Sequence, residues 1–113
     1  MNQSKDVLIE ITRLQETLKT FAAERNWGQF HSPKNLAMAL TGEVGELVEL
    51  FQWMTEEESR RIMQDAEAAT KVNHEVADVL LYLIQMINVL DIDINQAVKE
   101  KLQLNALKYP KGG

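Results

Sequence analysis

The stretch that most constrains this chain is DVLLYLIQMINVL, Asp78 to Leu90, which is apolar on nearly every face of a helix. A helix of that kind has to be covered on all sides. A chain of 113 residues has few other elements to spend on the covering. The sequence therefore predicts a homo-oligomer in which this helix meets its symmetry mate, and the alternative is a central helix in a monomeric bundle.

The rest of the pattern is helical too. Val7, Ile11, Leu14, Leu18 and Phe21 recur at three- and four-residue spacings, which predicts a first helix from about Asp6 to Asn26. Ser32-Pro33 is an N-cap residue followed by proline at the first helical position, and Leu36, Leu40, Val44, Leu47, Val48 and Phe51 carry a second helix to about Met54. Thr55 with Glu58 fits a capping box that opens a third segment reaching Leu90. Since 35 residues is long for a globular helix, a break is expected between Asp65 and Asn73. Asp93 with Gln96 caps a last helix that ends before Tyr109-Pro110. No useful strand candidate remains, so the expected fold is an all-α bundle of four to five helices in a single domain spanning residues 1–113.

Composition narrows the function classes. With no cysteine there is no thiolate nucleophile and no cysteine-based metal site, so any metal needs oxygen or histidine ligands. A net charge of −5 argues against gripping a nucleic-acid polymer, which requires a basic face. A phosphorylated small molecule stays compatible if a divalent cation mediates. Neither a membrane span nor a signal-peptide core is visible, which points to the cytoplasm.

Two acidic pairs stand out, Glu43 with Glu46 and Glu75 with Asp78, each three residues apart on one helix face. On antiparallel neighbouring helices the four carboxylates would share one wall, and four such groups need a hard cation, Mg²⁺ or Mn²⁺. Taken singly, either pair is more often a solvated surface than a site. Their setting inside the apolar runs ALTGEVGELVELF and HEVADVLLYL favours a site. Gly42 and Gly45 beside the first pair would give a ligand or a neighbouring backbone room to approach. A di-iron bundle is disfavoured, because neither His31 nor His74 lies three residues after a glutamate. The stretch DIDIN, Asp91 to Asn95, starts like a calcium loop but has Gln96 and Leu102 where that loop needs glycine and glutamate, so it reads as a turn and helix cap.

The stretches FAAERNWGQFHSPKNLAMALTGEVGELVELFQW and HEVADVLLYL, followed by Lys101, Asn105, Tyr109 and Pro110, resemble the MazG-type all-α nucleoside triphosphate pyrophosphohydrolases, and within them the dCTP pyrophosphatase branch. The resemblance implies a dimer, or a tetramer built as a dimer of dimers, that converts a (d)NTP to its monophosphate and pyrophosphate. It implies Mg²⁺ ligation by Glu43, Glu46, Glu75 and Asp78, and a nucleotide site formed with Trp27, Phe30, His31, Trp53, Asp78 and Tyr82. In that branch the first helix carries a pocket histidine where this sequence has Leu18, which leaves base selectivity unassigned.

Read as chemistry, Glu46 is the candidate for activating the attacking water, and the aromatic residues for stacking on a base. Lys101 and Asn105 share a helix face with Lys108 and are candidates for meeting phosphate. Each has a plainer reading: Phe30 and Tyr82 as packing residues, His31 as a loop terminator, the lysines as a solvated face. The competing function is a non-catalytic helical oligomerisation or binding module whose acidic pairs are structural.

Overall fold

In the computed structural model, which describes residues 11–112, every regular element is helical. The α-helices are α1 (Thr12–Glu24), α2 (Pro33–Glu49), α3 (Glu56–Arg60), α4 (Ala66–Leu90) and α5 (Ile94–Lys108), with single 3₁₀ turns at Trp27–Gln29 and Ile62–Gln64. The expected start of the first helix lies outside the described residues. None of the helices described is long and apolar enough to cross a membrane.

The starts of α2, α3 and α5 follow local chemistry. Ser32 accepts the N–H of Asn35 at 3.1 Å, with Pro33 in the first turn. The amide of Asn35 donates to the Phe30 carbonyl at 3.0 Å and so ties the preceding loop to α2. Thr55 and Glu58 form the reciprocal capping box. Asp93 Oδ1 accepts the N–H of Gln96. The DIDIN segment is a turn and cap as read: Asp91 ends α4 in the left-handed region at φ 53°, and Ile92 N–H reaches back to the Ile87 carbonyl at 3.0 Å. Asn26, at φ 55°, ends the α1 region in the same way.

Two boundaries differ from expectation. The second helix stops at Glu49 rather than about Met54, because Leu50, Phe51 and Met54 bond three residues back and the chain must unwind to place Thr55 in the extended conformation a cap needs. The third segment breaks over Arg61–Asp65, a few residues early. Successive three-residue hydrogen bonds there tighten the chain and bury Ile62 beside α4.

The main packing partner of α2 is α4, and α1 lies against another part of α4. Leu18, Ile84 and Ile87 form the buried cluster between α1 and α4, joined by Ile11, Leu14, Leu81 and Ile94. An amide pair fixes the register: Gln15 Nε2 donates to Asn88 Oδ1 at 3.3 Å, and Asn88 Nδ2 donates to the Gln15 carbonyl at 3.1 Å. Cover on α4 is one-sided. Ile84, Gln85 and Ile87 are buried, whereas Val76, Leu80, Leu83 and Leu90 stay exposed. Beyond Ile94, Leu102, Leu104 and Leu107 of α5 are also exposed.

Among the described residues, a Cβ added at Gly42 or Gly45 would meet no atom within 4 Å, so no neighbouring backbone uses the room they leave.

Candidate metal centre and adjoining cleft

The carboxylates converge through the α2–α4 contact. Glu43, Glu75 and Asp78, all half-buried, offer oxygens that lie within 4.8 Å of one another. Glu46 is outside that trio but lies close enough to Glu43 and Glu75 for its carboxylate to act on both. Glu43 interacts with Asp78, while Glu46 and Glu49 act on Glu75. Numbers rise along α2 as they fall along α4, so the two helices run antiparallel, as the spacing requires for one shared wall.

Electrostatics record the crowding. Hydrogen bonding to Glu46 pushes the Glu43 carboxyl up to about 7, with partial burial, the Glu46 charge and Asp78 adding to the effect. Partial burial also raises Glu75, helped by the charges of Glu46, Asp78 and Glu49 and opposed by His74. Among the described residues no arginine or lysine relieves this. The ion pairs among the described residues join Arg25 to Glu24, Arg60 to Glu56 and Glu57, Arg61 to Glu57, and Lys71 to Glu67. Carboxylates that crowd without a cationic side chain fit a hard divalent cation held by oxygen. Glu43, Glu75 and Asp78 would hold it, with Glu46 alongside.

A cleft of about 260 Å³ opens beside this cluster, between α1, the Trp27–Gln29 turn and α4. Asp78 belongs to both, lining the cleft as well as the carboxylate trio. Trp27, His31 and Tyr82 line it as expected. The Trp27 ring meets Phe21 edge-on at 5.3 Å and sits tilted against His31 at 5.6 Å. The Arg25 guanidinium lies 3.4 Å from the centre of the Phe21 ring, bracing the wall from outside.

Leu18, which stands where the resemblance puts a pocket histidine, does line the cleft, and three further lining residues were not singled out as site residues from the sequence: Phe21, Leu81 and Gln85. The two apolar ones among these three sit at ordinary core spacing, so only the fold marks them. Gln85 had a signal, as the one amide in the run LLYLIQMI. Other expected site residues do not line this cleft. Phe30 is exposed, Trp53 is 89 % exposed beyond the end of α2, and Lys101 and Asn105 lie on α5.

A helical chain with a cluster of acidic side chains beside an aromatic cleft is the class these elements define. The chain belongs to the MazG-like family, whose sequence model matches residues 39–112. Among its relatives is dCTP pyrophosphatase 1 of Bos taurus, 42 % identical over 107 residues, a match covering 95 % of this chain and 62 % of the relative. The Homo sapiens protein of that name is 44 % identical over 90 residues, covering 80 % and 53 %. The chain thus spans a little over half the length of these curated relatives. A solved pyrophosphatase from Archaeoglobus fulgidus superposes with a TM-score of 0.82 at 35 % identity, covering 98 % of this chain and 99 % of that one.

The raised Glu43 value has a consequence for stability. Between its ordinary value of 4.5 and about 7 the folded chain keeps a proton that the unfolded chain releases. The contribution of Glu43 is therefore full below the lower value and is lost as pH rises through the upper one. Thermal melts of metal-free protein from pH 4.5 to 7 should show a downward slope that Glu43→Gln flattens, and Mg²⁺ should stabilise more at the upper end. Parallel slopes in the two proteins would contradict the proton shared at Glu43.

Proposed function

We propose that this chain is a Mg²⁺-dependent nucleoside triphosphate pyrophosphohydrolase that converts a deoxynucleotide such as dCTP to the monophosphate and pyrophosphate, a nucleotide-pool house-cleaning role in the cytoplasm. The observation that carries the reading is the double membership of Asp78. A base lodged in the cleft leads its phosphates to the carboxylates. The activity named for the mammalian relatives and for the archaeal structure supports the same reaction class.

In this reading Glu43, Glu46, Glu75 and Asp78 form the metal centre, for Mg²⁺ or its substitute Mn²⁺. When bound, the cation supplies charge neutralisation on the phosphates. Glu46, outside the tight trio, orients a water and accepts its proton as the water oxygen bonds to phosphorus. The anhydride bond between the α- and β-phosphates breaks, and pyrophosphate leaves. Trp27 and Tyr82 offer faces to the base, and His31 a hydrogen bond at the rim.

The unit that works is a homo-oligomer, a dimer or a tetramer, with residues 1–113 of each chain acting as one domain. The radius of gyration is 17.2 Å, against roughly 13 Å for a compact chain of this length. Leu80, Leu83, Trp53 and much of α5 are exposed. Association would cover these surfaces and bring Phe30, Trp53, Lys101 and Asn105 to a site they do not line in one chain.

Incubation of purified protein with a panel of NTPs and dNTPs plus Mg²⁺, scored for pyrophosphate against orthophosphate, tests the reaction. Pyrophosphate release that depends on Mg²⁺ is expected; orthophosphate alone, or no turnover, would sink the proposal. Glu46→Gln should lower kcat by about 10²–10⁴-fold, and Asp78→Ala should abolish turnover with helical content retained. Near-normal rates in both would contradict the assigned roles. Light scattering should give the mass of at least two chains, and Leu80→Asp combined with Leu83→Asp should shift it to one; a wild-type monomer would overturn the assembly.

A further inference from the structure

Gln85 is a polar side chain in an apolar place. It is 8 % exposed, lines the cleft and follows Ile84 of the buried cluster in the chain. Among the described residues no side chain or carbonyl hydrogen-bonds its amide, yet none of its polar atoms is sealed away without a partner. The amide therefore keeps its access through the cavities it borders, the cleft and a shallower depression near Asn88. A buried amide left this way is costly unless something that enters the cavity satisfies it.

Its position says what kind of group that is. Asp78, Tyr82 and Gln85 follow at i, i+4 and i+7, so they share one face of α4. Asp78 and Gln85 are about 10 Å apart along the helix axis at 1.5 Å per residue. With phosphate near the carboxylate cluster and a ring against Tyr82, the edge of the base arrives at Gln85. A glutamine amide presents a donor beside an acceptor and can turn to present them in either order, which matches the adjacent donor and acceptor on a nucleobase edge. Leu18 and Leu81, its apolar neighbours in the cleft, offer the base no hydrogen bond.

We infer that Gln85 hydrogen-bonds the edge of the base and sets base selectivity in this cleft. The inference rests on the reading of the cleft as a nucleotide pocket. Recognition of this kind discriminates because a base with the wrong pattern leaves the buried amide unpaired.

The test separates binding from turnover. Binding of dCMP, dTMP, dAMP and dGMP is measured by calorimetry for wild type, Gln85→Met, which keeps the length and apolar fit, and Gln85→Glu, which replaces the amide by acceptors alone when ionised. Wild type should favour one base. Gln85→Met should weaken that base about 10- to 100-fold while the poorest binder changes less than about threefold, and Gln85→Glu should reorder the four. An equal loss for every base, unchanged discrimination in Gln85→Met, or a wild type that binds the four equally or not at all would overturn the inference. Base-selective binding lost in Gln85→Met, together with no pyrophosphate release from any dNTP by wild type, would leave Gln85 in its role and sink the hydrolase reading alone. Circular dichroism on both variants identifies a failure to fold, and the variant that folds decides.

Discussion

Carboxylates on the facing sides of α2 and α4 repel one another, and the packing of α2 against α4 holds them together. The conflict is visible in Glu43, which holds its proton up to about 7. Burial of aliphatic side chains is what can overcome such repulsion, since it is non-directional and does not care which polar groups it carries along. A divalent cation would turn the repulsion into attraction. The chain thus stores at this contact the electrostatic need that a metal and a phosphorylated ligand can satisfy.

Everything else in the fold serves that contact or the cleft beside it. The Gln15–Asn88 amide pair sets α1 on α4, which places Leu18 and Phe21 on one side of the cleft. The left-handed Asn26 turns the chain so that Trp27 and His31 close another side, and the Ser32 cap launches α2 toward Glu43. Among the described residues, no element covers the exposed side of α4 or most of α5. That imbalance is the physical basis for assigning the working form to an assembly.

The features legible in the sequence are those decided within a few residues. Ser32, Thr55 and Asp93 announce helix starts because a side-chain oxygen three residues before a free N–H is local chemistry. The paired E-x-x-E and E-x-x-D spacings place carboxylates on helix faces for the same reason. The break at Arg61–Asp65 was harder to place because neither glycine nor proline marks it; burial of Ile62 beside α4 is a tertiary effect. Gln85 stands out as an amide in an apolar run, but its place in the cleft depends on tertiary packing that the spacing does not show. Gly42 and Gly45 leave room for a ligand or a neighbouring backbone, and among the described residues no backbone fills it. Trp53 and Phe30 point to surfaces that one chain leaves open.

A cation held by the α2–α4 carboxylates is what the proposed chemistry requires first. Titration with Mn²⁺, followed by the loss of its free-ion electron paramagnetic resonance signal, addresses it without reference to any substrate. Wild type should take up Mn²⁺ saturably, and Glu43→Gln or Asp78→Asn should weaken uptake by about tenfold or more. Equal uptake by wild type and both variants, or none by wild type, would contradict it.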